Sequence, residues 1–388
     1  MTTKKVRPTE SFGKIIKFFH LISRLVGADV ADENYRVNII TITLIICIVA
    51  YFIFTGTTVA SVFSENWTYL LEASCMVGSV LQGITKLISA FAFAKEICGI
   101  RIELENLYRE YEVKGDDYAE ALNKSCERVW QVIKMVGQVY FVAGGGIILI
   151  TVVLIFASNE KVFLMHFMIP GIDVDTQVGY LMTLTLHTMC FLFGAFGLFA
   201  GDLFFLLFLG QPMLFLDLLV LKVKSLNEAA AENSSTAERL LIDIIEWHQY
   251  YTDYNLRCNR IFYYINSMQI VTSGISIICT LYIILLGDWP GAYLYILIAF
   301  GGLYLYCIMG TKIQTCNTSF CDELWNINFY DLAVKNQKMI IPILMKAQNP
   351  SEIKVGGFLP LSVQTALQIT KTIYGIFTMM LRFLEENQ

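Results

Sequence analysis

Charge is scarce in this sequence: Asp, Glu, Lys and Arg supply 16% of 388 residues, while hydrophobic side chains supply 56%. A soluble globule of that composition would leave large apolar patches in water, so the chain reads as a polytopic membrane protein. Histidine is also rare. His20, His166, His187 and His248 have no second His or Cys at metal-ligand spacing. No Gly-x-Ser-x-Gly or Walker sequence occurs, and Gly144-Gly145-Gly146 lies in an apolar run without the strand that a phosphate loop needs. These absences argue against an enzyme; no catalytic residue, metal, cofactor or nucleic-acid partner is expected. Paired intramembrane carboxylates are missing too, since Glu72 and Asp202 read as isolated, and no inverted repeat is visible. The ten cysteines fall mostly in apolar runs (Cys47, Cys75, Cys190, Cys279, Cys307) or in segments between the spans that read as cytosolic, which predicts free thiols. The polar, basic start, MTTKKVRPTESFGK, lacks the apolar core of a cleavable signal peptide.

What the sequence does contain is a series of apolar stretches of about 20 residues, each long enough to cross the hydrocarbon core. Seven are expected, near Asn38 to Phe63, Thr68 to Ala94, Val132 to Ala157, Val178 to Leu209, Ile261 to Gly287, Trp289 to Thr311 and Val355 to Phe383. The fold class is therefore all-α, with seven transmembrane helices. Segments 1–37, 95–134, 211–260 and 312–338 hold 22 Lys and Arg, and the opposite loops hold only Lys161. This asymmetry predicts a cytosolic N-terminus and an extracellular C-terminus. Asn66-Trp67-Thr68 is then a glycosylation acceptor in an outside loop. The orientation is opposite to that of G-protein-coupled receptors, whose Asp-Arg-Tyr and Asn-Pro-x-x-Tyr signatures are also missing.

Between the spans, residues 95–131 and 211–260 keep helical periodicity, with Ile97, Ile100, Leu104 and Leu107, then Leu240, Leu241, Ile244 and Ile245. They predict helical extensions below the bilayer that lack a core of their own and pack on each other or on other subunits. In residues 1–37, Phe12, Ile15, Ile16, Phe19, Leu21 and Ile22 alternate with Lys14, Lys17 and Arg24. That pattern suits a helix along the membrane surface or a tail packed on the cytosolic helices.

The last span is unusually polar. Ser362, Gln364, Thr365, Gln368, Thr370, Lys371, Thr372 and Thr378 interrupt it, more than a lipid-facing helix buries without loss. One side must meet water or protein, and Met379 and Phe383 lie one turn apart on a single face. Candidate ligand contacts sit in the outer halves of the other spans: Ser74 and Cys75; Ile148, Thr151 and Leu154; Thr183 and His187; Tyr293, Tyr295 and Leu297. A cavity among them would be mainly apolar with a few hydrogen-bonding groups, fit for a volatile of about ten heavy atoms. Helix packing is the alternative role for each.

The C-terminal third carries SFCDELW (Ser319 to Trp325), NFYDL (Asn328 to Leu332), AQNP (Ala347 to Pro350), GGF (Gly356 to Phe358), PLS (Pro360 to Ser362) and TKTIY (Thr370 to Tyr374), then Phe377-Thr378. This set resembles the signature of insect odorant receptors, with Asn328 where the family often has Trp and Ile373 where it often has Ser. The long charged loops of the shared co-receptor are absent, so the chain looks like a ligand-tuning subunit. The resemblance implies an odorant-gated, nonselective cation channel, assembled as a tetramer with the co-receptor in the plasma membrane of sensory cilia or dendrites. It implies a ligand-sensing bundle over 38–311, a cytosolic anchor over 312–354 with a short helix near Lys338 to Gln348, and a pore-lining helix and tail over 355–388. It places Met379 and Phe383 at an apolar gate and Arg382 where the co-receptor carries a polar, uncharged residue. A gustatory-type channel and a secondary transporter are the competing readings.

Overall fold

The computed structural model describes residues 7–62, 68–157, 161–165, 167–232, 234–286, 289 and 291–386. Its helices are α1 (Pro8–Val26), α2 (Ile39–Val62), α3 (Thr68–Ala92), α4 (Ala94–Glu112), α5 (Asp116–Ala157), α6 (Gln177–Leu209), α7 (Pro212–Glu232), α8 (Ser234–Leu286), α9 (Ala292–Trp325), α10 (Val334–Ala347) and α11 (Val363–Glu386). A two-stranded ribbon, β1 (Lys354–Val355) antiparallel to β2 (Leu359–Pro360), precedes α11. Asn66 lies outside the described residues, as do the side chains of Ser74, Cys75 and Phe383.

Five helical stretches, through α2, α5, α6, α8 and α9, are long and apolar enough to cross a membrane, and a sixth if the pair α3 and α4, bent by 75°, counts as one. The expected seventh span, α11, has the length at 24 residues, but its polar side chains keep it out of that set. α5 and α8, with 42 and 53 residues, run roughly 63 and 80 Å, far beyond a hydrocarbon core of about 30 Å. They continue unbroken into the segments read as cytosolic.

Those extensions pack on one another, the first of the two expected arrangements, and together enclose a core. Tyr108, Phe215, Leu218, Leu241 and Tyr254 are fully buried there. Their polar tips are satisfied internally: Tyr254 donates to the Phe208 carbonyl at 2.6 Å, Trp247 to the Phe215 carbonyl at 3.0 Å, and Tyr251 to Asn317 at 2.6 Å. Single-helix periodicity does not reveal that several helices meet around these rings. Burial also pushes the Cys258 and Cys126 thiols of this core up to about 12, so both stay protonated. The nine described cysteines are free.

α1 takes the second of its two expected placements. Phe12, Ile15, Ile16, Phe19 and Ile22 are buried in the main core, and Phe12 stacks on Tyr108 with ring centroids 4.2 Å apart. Leu21, off that face, is 57% exposed. Across the anchor, Arg257 of α8 grips Glu103 of α4 through two nitrogens at 2.8 and 2.7 Å.

The last helix begins eight residues later than the sequence reading had it. Gly356 and Gly357 adopt φ +59° and +80°, a region that suits glycine, and close the β1–β2 ribbon before the helix can start. Ser362 then caps α11, accepting the Thr365 amide at 3.3 Å. Beneath the ribbon, a Cβ added at Gly310 of α9 would lie 2.1 Å from the Leu361 carbonyl oxygen. Gly310→Ala should therefore push α11 off α9 and cost about 1–3 kcal/mol, read as a lower melting temperature of the purified protein in detergent. A wild-type melting temperature would show that the ribbon has room to move.

Candidate functional site

One elongated cavity of about 170 Å³ lies between α1 and α2 on one side and α3, α5, α6 and α9 on the other. Each wall is a helical stripe. α3 contributes Met76, Ser79, Gly83, Lys86 and Ala90, α5 Tyr140, Gly144 and Ile147, and α9 Tyr295 and Ile298, all at spacings of three or four. α1 and the segment after it add Phe19, Ser23, Val26 and Val30; α2 adds Leu44, Cys47 and Tyr51. The lining is overwhelmingly apolar, which suits a small organic molecule.

Its few polar groups are already arranged. At one level the hydroxyls of Ser79 and Tyr295 are 2.6 Å apart. Further in, Lys86 Nζ lies 2.5 Å from Asp202 Oδ1, and both side chains are at most 5% exposed. Tyr306 donates to the same oxygen at 2.8 Å, and Tyr140 donates to Oδ2 at 2.6 Å. Asp202, isolated in the sequence reading, is thus the hub of a buried network that joins α3, α5, α6 and α9. Gly201 makes it possible: any Cβ there would meet Lys86 Cδ at 2.5 Å, so the lysine stem lies directly over the α6 backbone.

Of the ligand contacts expected from sequence, the structure brings Tyr295 to the cavity. Tyr293 and Leu297, two positions to either side and so about 160° away around α9, are 60% and 55% exposed. On α5 the lining residue is Ile147; Ile148 and Leu154 are half-buried, and buried Thr151 donates to the Ile147 carbonyl at 3.0 Å. Thr183 and His187 are fully buried, but Thr183 donates to the Gly179 carbonyl of its own helix at 2.9 Å, a ring nitrogen of His187 is 2.8 Å from the Phe167 carbonyl oxygen, and neighbouring Tyr180 donates to that of Val162 at 2.9 Å. Ser74 and Cys75 sit in the outer turns of α3, with side chains outside the described set. Sequence reasoning missed Lys86, Tyr140 and the whole α1–α2 wall. The signal for Lys86 was available, as the single cation in a span that faces the single acid of another.

The last helix presents two contrasting faces. Thr365, Ala366 and Ile373 are buried, with Ile369 and Thr370 packed beside them, and Tyr304 of α9 shares a hydrogen bond with Thr370 at 3.1 Å. The other side exposes Gln364, Gln368, Lys371, Tyr374 and Met379, the last at 72%. Arg382 is exposed as well. Among the described residues no group of His, Cys, Asp and Glu is placed to hold a metal.

A bundle of long, membrane-crossing helices with an apolar cavity in its side defines a multi-pass membrane receptor. The family model for the 7tm odorant receptor matches residues 66–374, and the chain belongs to that family. It is 28% identical to putative odorant receptor 83c of Drosophila melanogaster over 392 residues, 96% of this chain and 98% of that one. Odorant receptor 85f of the same insect matches at 24% over 28% of this chain and 29% of its own. The olfactory receptor OR5 of Machilis hrabei shares the fold, with a TM-score of 0.78 and 15% identity over 97% of this chain and 99% of that one; its complex with eugenol gives 0.77 and 14%, over 95% and 99%.

Breaking the buried pair has a definite cost. Lys86→Met leaves the Asp202 carboxylate without its cation and should lose about 3–5 kcal/mol, whereas the double variant Lys86→Met/Asp202→Asn should recover most of it. Thermal unfolding in detergent measures both, and a single variant as stable as wild type would show that the pair does not hold.

Proposed function

We propose that the chain is the ligand-tuning subunit of an odorant-gated, nonselective cation channel, completed by a co-receptor in a hetero-oligomer, most simply a tetramer. The observation that carries this is the exposed face of α11. A helix at membrane level with Gln364, Gln368 and Lys371 turned away from its own bundle needs water or another subunit beside it. A central pore lined by the last helix of each subunit supplies both, with Met379 and Phe383 as its apolar gate and Arg382 close to it.

The ligand in this reading is a small volatile held in the cavity at Tyr295, Ser79 and Ile147. The eugenol complex of the Machilis receptor, a protein of the same fold, supports that ligand size. Bound odorant biases the channel only by its differential affinity for the open and closed arrangements. The plasma membrane of a sensory neuron, with the N-terminus inside, the C-terminus outside and Asn66 glycosylated, completes the reading.

Whole-cell recording from cells expressing the chain with and without an insect odorant co-receptor tests it. Odour-evoked cation current is expected only with both chains. Saturable, gradient-dependent uptake without channel steps would replace this reading by a transporter, and current from this chain alone by a gustatory-type channel. Met379→Ala and Phe383→Ala, assembled with the co-receptor, should raise basal current; unchanged basal and evoked currents in both would remove the gate from these positions. Ile147→Trp should fill the cavity and raise the half-maximal odorant concentration about tenfold or more.

A further inference from the structure

The cavity has two polar stations, and they differ in what they still offer. At Ser79 and Tyr295 the hydroxyls face each other. At the inner station, Tyr140 and Tyr306 both spend their protons on Asp202. Lys86 does not. An ammonium group has three N–H donors, and among the described residues Asp202 is its one hydrogen-bond acceptor, with the face of Tyr306 at 5.5 Å. Here is a cationic donor, 95% buried and lining an apolar cavity, with donor capacity left over.

We infer that Lys86 orients the ligand, donating to a terminal oxygen, and that the matching odorant is a neutral, elongated molecule with one such acceptor. The inference rests on the odorant-receptor reading above and specifies its ligand. Charge sets the first condition. Asp202 already neutralises Lys86, so an anion would bring an unbalanced charge into a largely apolar cavity. A pure hydrocarbon fails differently, because it would leave the ammonium donors dry. Length follows from the helix: Ser79 and Lys86 are seven residues apart on one face, about 10 Å. An extended chain advances roughly 1.2 Å per bond, so about eight bonds span the two stations. A ketone or aldehyde of about eight carbons meets all three conditions.

Octan-2-one, octane, octanoate and butan-2-one, applied to the chain with its co-receptor, test this by current. Octan-2-one should act at concentrations about tenfold or more below octane, the gain expected of a hydrogen bond to a charged donor. Octanoate and butan-2-one should be weak. In Lys86→Met/Asp202→Asn the ratio of octan-2-one to octane potency should fall to within about twofold of unity. Equal potency of ketone and alkane in the wild type, or an unchanged ratio in the double variant, overturns the assignment. Infrared spectroscopy of the purified full chain with octan-2-one labelled by carbon-13 at the carbonyl provides a readout independent of gating. The bound carbonyl band should lie below its position in hydrocarbon solvent; an unshifted band, or no bound ketone, also overturns the assignment. A shifted band with no current in any pairing would leave the Lys86 contact standing and remove the channel reading instead.

Discussion

Hydrocarbon does not solvate charge, and this bundle depends on how it meets that constraint. Asp202 gathers Lys86, Tyr140 and Tyr306 around one carboxylate, and each partner comes from a different helix. Packing between apolar helices in a membrane has no water to exclude and gains little from side-chain greasiness alone. Polar satisfaction supplies the register instead. Lys86 reaches Asp202 only because Gly201 leaves its stem room to lie on α6, so one missing side chain and two charges together fix how α3 and α6 meet. The cavity is a consequence: short residues on α3, α5 and α6, among them Ser79, Gly83, Gly144 and Gly197, leave space beside the contact.

Much of the architecture was legible in the sequence, because hydropathy reports the medium around each segment directly. The limits of α2, α3 and α6 agree with their apolar runs to within two residues. Features that depend on the far side of a contact were not legible. Periodicity gave α1 an apolar face but could not say whether lipid or Tyr108 covers it. The aromatic and hydroxyl residues read as one set of ligand contacts, yet they divide: Tyr295 faces the cavity, while His187 turns toward the segment near Phe167 and Thr183 bonds within its own helix. Composition carries no phase between helices, so it does not say which neighbour each face meets. Asp202 seemed isolated for the same reason, since its cation lies 116 residues away in the chain.

The two ends of the molecule handle unfilled surface in opposite ways. In the part read as cytosolic, α4, α5, α7, α8 and α9 close around Phe215 and Tyr254. Around α10 and the turn before it, Trp325, Tyr330, Val334, Ile341 and Met345 remain more than half exposed, and on α11 the polar face is bare. In the proposed channel these are complementary surfaces: an apolar one that gains by burial against another subunit, and a hydrophilic one that gains by facing water. A monomer would leave both unfavourable.

In the proposed channel, α9 is the element that would join the sensing and the conducting parts. Tyr295 and Ile298 touch the cavity, Tyr306 holds the ion pair, Tyr304 bonds to α11 through Thr370, and Gly310 carries the ribbon that starts α11. From Tyr295 to Gly310 is about 22 Å of continuous helix. A helix of that length does not stretch, so a ligand that wedges α9 away from α3 moves Tyr304 and the ribbon with it. The contact at Gly310 leaves no slack, because the Leu361 carbonyl sits directly on the α9 backbone. In the proposed channel, close packing would turn a small displacement at the cavity into a displacement of α11, and a ligand bound to one wall alone would transmit none.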